Sequence, residues 1–230
     1  MKLLHSLLPS IALADFTQMS TDFSDAVSAF SQANGDRTIT QSDMALINEY
    51  GCWCYFQNDH HKGKGQPTDG IDSLCKRLHD GYTCAMIDAQ AMGDTCVPWE
   101  VTYQSATGAG LAISMDLNTI RTECDNQNPN TNDCVNWACK IEGYFVQQLL
   151  FFFVQGGQID QNSMHSNNFD PNVRCPVSQG TKSERECCDQ QPLRFPFKTY
   201  GDRQCCVNRT YDVNIFQCCA DGSLAIGACP

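Results

Sequence analysis

Residues 50 to 85 read YGCWCYFQNDHHKGKGQPTDGIDSLCKRLHDGYTCA, from Tyr50 to Ala85. The stretch sets Cys52 and Cys54 ahead of a loop, Gln57 to Gly70, rich in Gly with one Pro. A helix is expected from about Asp69. Ile71, Leu74, Cys75, Leu78, Tyr82 and Ala85 recur at spacings of three and four, the apolar stripe of a helix with one buried face. His79 falls at the edge of that face, and Asp80 is turned about 100° from it. An imidazole titrates near neutrality and suits a general base. A carboxylate suits a hard cation. The adjacent pair, in a cysteine-rich chain, points to hydrolysis assisted by a bound cation.

Toward the N-terminus, Thr40-x-x-Asp43 has the form of a capping box before Met44, Leu46 and Ile47, so a short helix leads into Tyr50. Residues 15 to 39 are small and polar with little periodicity and read as a loose arm. Met1-Lys2 precede LLHSLLPSIALA, which ends in Ala12-Leu13-Ala14; residues 1 to 14 are therefore expected to be a signal peptide. No run reaches the ~18 apolar residues of a membrane span.

Toward the C-terminus, Val101-Thr102-Tyr103 and the turn Thr107-Gly108-Ala109-Gly110 suggest a hairpin or loop between Cys96 and Thr122. Asn132 or Asp133 caps a second long helix, whose periodic face carries Trp137, Ile141, Tyr144, Phe145 and Leu149. Glu142 stands at the inward edge of that face. Phe151-Phe152-Phe153 reads as packing at its end. Residues 155 to 173 have a linker composition. Beyond them come Cys175, three dicysteines (Cys187-Cys188, Cys205-Cys206, Cys218-Cys219) and Cys229. The pairs hint at a degenerate repeat. Adjacent cysteines rarely bridge each other, so each pair is expected to staple different partners in a small β-rich module.

The 16 cysteines fall as eight from Cys52 to Cys139 and eight from Cys175 to Cys229, which suggests two separately closed modules. They lack the C-x2-C spacing of zinc sites and belong to an oxidising compartment. The net charge of −11 lies entirely ahead of Cys175, because the tail carries 6 Lys/Arg against 6 Asp/Glu. That acidity argues against nucleic-acid binding and against electrostatic attraction to anionic membranes. His60-His61 beside Asp59 reads as a solvated loop. No G-x-S-x-G or Walker-type loop is present. Asn208-Arg209-Thr210 is a glycosylation sequon, as expected of a glycoprotein.

Taken in order, Tyr50-Gly51-Cys52-x-Cys54, Pro67-x-Asp69-x-x-Asp72, His79-Asp80 and Glu142-x-x-Phe145 resemble the active-site region of secreted phospholipase A2 enzymes, over residues 40 to 150 or about half the chain. The resemblance implies a mainly α, disulfide-rich fold with two antiparallel core helices, plus the small stapled β-rich module. It implies His79 as the base that activates water, Glu142 as the carboxylate that orients it, and Asp80 as a calcium ligand with the backbone carbonyls of Trp53 and Tyr55. Several details differ from the family pattern, among them Glu142 where the family has Asp and about five extra residues before Pro67. The glycine-rich calcium loop is replaced by Tyr55-Phe56-Gln57-Asn58. The Cys found three residues before the family's His is here Cys75, four before His79. The Cys expected two residues after the Asp falls on Tyr82, and its partner position on the second helix falls on Ile141. The tail resembles the double-cysteine repeats of galaxin-type matrix proteins.

The expected organisation is thus a signal peptide (1–14), an arm (15–39), a phospholipase A2-like domain (40–154), a linker (155–173) and a cysteine-rich module (174–230). The resemblance implies a secreted, Ca2+-dependent hydrolase of the sn-2 ester of glycerophospholipids, acting at membrane surfaces or lipid aggregates. Its alternative is a non-catalytic extracellular binding or matrix protein on the same scaffold, with a matrix partner held by the tail.

Overall fold

The computed structural model describes residues 14–34, 41–105, 116–129, 132–177, 185–199 and 201–229. The expected signal peptide up to Leu13, Thr40 of the capping box, and the Thr107–Gly110 turn lie outside them.

Helix α1 (Ala14–Asn34) and the short α2 (Gln41–Leu46) precede the quoted stretch. The loose arm expected at 15–39 is therefore largely helix. Met19, Phe23 and Ala26 recur every three or four residues and are fully buried, and Phe23 meets Phe153 edge-on at 6.2 Å. Ser20 and Asp22 are buried among them, and they interrupt the apolar stripe that would have marked the helix. Asp22 accepts hydrogen bonds from Gln18 (3.0 Å) and Ser105 (2.6 Å), which makes its burial tolerable.

Helix α3 (Gly70–Ala91) begins where expected, with the Asp69 carboxylate accepting the backbone N–H of Asp72. After α4 (Leu117–Gln127), helix α5 (Asp133–Val154) begins with Asn132 accepting the N–H of Val135. Helices α3 and α5 are antiparallel: Gly70 meets Phe152, Arg77 reaches Tyr144, Gly81 abuts Ile141 and Tyr82 reaches Glu142. A Cβ on Gly81 would come 3.0 Å from Ile141 Cγ2, so this glycine lets the helix surfaces approach closely. Leu78, Tyr82, Ile141, Phe145 and Leu149 join the buried core between them; each such side chain contributes about 1.5–3 kcal/mol of burial. Between α3 and α4 the Val101–Tyr103 segment follows one 3-10 turn (Pro98–Glu100) and forms no strand. Among the described residues no helix is long and apolar enough to cross a membrane.

The tail is three two-stranded antiparallel hairpins: β1 (Arg185–Cys188) with β2 (Phe195–Lys198), β3 (Arg203–Cys206) with β4 (Arg209–Asp212), and β5 (Gln217–Cys218) with β6 (Leu224–Ala225). Each dicysteine lies in or at the end of the first strand of a hairpin. The bridges run as a chain: Cys84–Cys187, Cys188–Cys205, Cys206–Cys218, Cys219–Cys229. One cysteine of each pair reaches back and the other forward, so neighbours do staple different partners. In the body, Cys54–Cys75, Cys96–Cys134 and Cys124–Cys139 complete the set with Cys52–Cys175, and no cysteine is free.

Two separately closed modules were expected, but Cys52–Cys175 and Cys84–Cys187 join the sets. The supposed linker is also held against the body. Gly51 N–H donates to Ser163 O (2.7 Å) and His165 N–H to Glu49 O (3.1 Å). Two 3-10 turns and one helical turn, Pro171–Arg174, occupy the segment. Apolar anchors hold it as well: Phe169 is buried against Cys52 and Cys175, and Ile159 and Met164 pack on the core.

Candidate functional site

The Tyr50–Tyr55 segment is suspended from one buried carboxylate. Asp72, on the first turn of α3 and fully buried, accepts the N–H groups of Cys52 (2.8 Å), Trp53 (2.7 Å) and Thr68 (2.8 Å). Burial pushes its pKa up, and these three N–H bonds pull against that shift. Gly51 is required here: its φ is +58°, and a Cβ would come 2.4 Å from the Asp72 carboxyl carbon. Tyr50 donates its hydroxyl to Asp69. The Cys54–Cys75 bridge ties the segment to the second turn of α3.

His79 is buried beneath this segment (5 % exposed). Its Nε2 lies 2.8 Å from the carbonyl oxygen of Tyr55. A carbonyl only accepts, so Nε2 carries the proton. The Trp53 ring stands edge-on at 5.8 Å. Gly63 closes over the pair: a Cβ there would come 2.6 Å from the Trp53 ring and 3.1 Å from His79 Nδ1. A second imidazole grips the same segment, with His165 Nε2 2.8 Å from the Gly51 carbonyl oxygen. His165 stands 114 residues away in the supposed linker, and nothing in its sequence surroundings marks it.

Glu142 is 1 % exposed. One of its oxygens accepts the Tyr82 hydroxyl (2.9 Å) and the other the Tyr103 hydroxyl (2.6 Å). Tyr82 belongs to the α3 stripe and Tyr103 to the segment before α4. The sequence presents Tyr82 only as part of the apolar stripe and Tyr103 only as part of a hairpin or loop; the one available signal is that a buried Tyr hydroxyl needs a hydrogen-bond partner.

Asp80 goes elsewhere. Its carboxylate pairs with Lys76, one turn earlier, at 2.5 Å. Both line a cavity of about 630 Å3 between α3 and the first tail hairpin. Burial raises the Asp80 pKa, while Lys76, Arg185 and Arg77 oppose the shift. His79 and Asp80 are neighbours in sequence, but their side chains leave the helix about 100° apart. His79 meets the Tyr55 carbonyl, while Asp80 lines the cavity shared with the tail and its partner Lys76 lies over the Trp53 ring at 5.2 Å.

The expected calcium ligands were Asp80 and the carbonyls of Trp53 and Tyr55. The Trp53 carbonyl accepts the Tyr55 N–H (2.8 Å), the Tyr55 carbonyl accepts His79, and the Asp80 carboxylate accepts Lys76. A hard cation wants six to eight converging oxygens; these three already hold donors. Among the described residues no cluster of three or more His, Cys, Asp or Glu is placed to hold a metal ion. The arrangement does not fit calcium. It joins the base and a ligand of the expected scheme directly to one another. No protein-family model and no curated protein matches this chain.

Proposed function

We propose that this protein is a secreted, non-catalytic binding protein built on a phospholipase A2-like scaffold. The observation that carries the reading is the bond from His79 Nε2 to the Tyr55 carbonyl. In a hydrolase of this type the carbonyl holds the cation and the imidazole takes a proton from water. Here each is engaged by the other.

Helix register supports the same reading. In the family pattern a Cys stands three residues before the base, and a second Cys two residues after the metal carboxylate. Counting on from Cys75, the base position falls on Leu78. Counting back from Gly81, which abuts Ile141, the carboxylate position falls on His79. Leu78 is buried and lies one turn before Tyr82, the residue that holds Glu142. An aliphatic side chain transfers no proton, and an imidazole donating to a carbonyl leaves a cation no carboxylate. The eight disulfides support an extracellular setting.

The second reading, a Ca2+-dependent phospholipase at lipid surfaces, is favoured by Asp72 holding the Tyr50–Trp53 segment and by the buried Glu142 facing α3. Phospholipid hydrolysis with and without calcium separates the two. The native chain is expected to show no calcium-stimulated turnover and no thermal stabilisation by calcium. The paired replacement Leu78→His with His79→Asp is expected to introduce a calcium-dependent rise in Tm. Calcium-stimulated turnover by the native chain, abolished in His79→Gln, would restore the hydrolase.

A further inference from the structure

The cavity beside Asp80 is made jointly by body and tail. Its α3 wall carries Ser73, Lys76, Arg77 and Asp80, at spacings that put them on one helical face. The opposite wall sets an apolar strip of Pro192, Leu193, Phe195 and Pro196 beside Asp189 and Arg194. Its volume of about 630 Å3 falls in the ~300–1,000 Å3 range of small-molecule sites.

The walls are fixed before any ligand arrives. Cys84–Cys187 ties α3 to β1. Arg194 forks onto both oxygens of Asp88 (2.6 and 2.9 Å) and donates to the Asp189 carbonyl (2.5 Å). A site held open in this way loses little entropy on binding.

Charge narrows the ligand class. Lys76 is matched by Asp80, and Arg194 by Asp88. Arg77 meets a neutral partner among the described residues, the Tyr144 hydroxyl at 3.2 Å. A guanidinium has five N–H donors and takes carboxylates in a two-point grip. Arg77 is thus the lining cation with no carboxylate in ion-pair range among the described residues, and the carboxylates of Asp80 and Asp189 disfavour a second negative charge. An inorganic anion would leave the Leu193–Pro196 wall unused, and a neutral apolar molecule would leave Arg77 unmatched.

We propose that this cavity binds a singly charged amphipathic carboxylate of the medium-chain fatty-acid type, its head on Arg77 and its chain along Leu193, Phe195 and Pro196. The proposal gives the binding reading a ligand class but rests on residues separate from the His79–Tyr55 bond. A chain that proved to hydrolyse phospholipid could still carry this site.

The experiment is calorimetric titration of the full-length chain, without calcium, with decanoate below its micelle concentration. Decanol, acetate and inorganic phosphate serve as comparators. Saturable one-to-one binding of decanoate is expected, with decanol and acetate each at least about tenfold weaker. Arg77→Met should weaken decanoate about tenfold or more, and Arg209→Met on β4 should leave it unchanged. Asp80→Asn should tighten binding, a gain that misfolding cannot mimic. Absence of saturable decanoate binding, decanol binding equally well, phosphate binding equally well, or indifference to both Arg77→Met and Asp80→Asn would each overturn the proposal. Calcium-stimulated turnover would sink only the non-catalytic reading and leave this result standing.

Discussion

Cys124–Cys139 in the body and Cys206–Cys218 in the tail join residues 15 and 12 positions apart, but they lie in opposite surroundings. Cys124 and Cys139 belong to the apolar cluster that also holds Ile120, Phe145 and Leu149. Around Cys206 the tail has strands of two to four residues, and Val207, Val213, Ile215 and Ile226 lie exposed. By loop closure either bridge is worth about 3 kcal/mol. In the body that adds to helices already packed against each other. In the tail there is little else, because isolated two-stranded hairpins are marginal in water. The same covalent device reinforces one region and holds the other together.

The largest expected effect tests whether the body depends on anything besides apolar packing. Asp72→Ala strands three N–H donors around Cys52, Trp53 and Thr68, at about 1–3 kcal/mol each. A loss of about 4 kcal/mol is expected by denaturant titration. A loss under about 1 kcal/mol would show that Asp72 does not hold the segment.

Removing equivalent bridges probes the contrast directly. Cys124→Ser with Cys139→Ser should cost about 3 kcal/mol while amides of α3 and α5 stay protected from exchange. Cys206→Ser with Cys218→Ser should leave the body's Tm nearly unchanged but abolish protection in β3 to β6. Equal behaviour of the two variants would erase the distinction.

A smaller effect concerns the junction of the two regions. Burial lifts the Asp80 carboxyl above its ordinary value, because it penalises the charged form, and Lys76 holds it partly down. Lys76→Met removes that cation, so the Asp80 titration followed by carboxyl NMR should move further up in pH. A downward move would mean that Lys76 is not its partner in solution. The smallest effect sits at a tail turn. Val207, between β3 and β4, has a φ of +58°, a conformation that strains a β-branched residue and that Asn tolerates. Val207→Asn should stabilise that hairpin by about 1 kcal/mol, read as slower exchange in β3 and β4.

Helices α3 and α5 were legible because each has a wide apolar stripe and a capping side chain, Asp69 or Asn132, at its start. Helix α1 was not, because Ser20 and Asp22 share its buried face. Dicysteines could be read as stapling separate partners, since bond geometry discourages adjacent pairing, but not that Cys52 and Cys84 would reach Cys175 and Cys187. Glu142 was placed at the inward edge of its helix, yet its two phenol partners come from elements 60 and 39 residues distant.

Local order determined what local forces can determine: periodic faces, caps, turn residues, and an even complement of thiols in an oxidising setting. The partner of each side chain was decided by the assembled fold. Side chains at consecutive helical positions leave about 100° apart, so His79 and Asp80 receive different direct partners, the Tyr55 carbonyl and Lys76. The fold puts the imidazole under the Tyr55 carbonyl and leaves the acid beside it lining the cavity between α3 and the first tail hairpin.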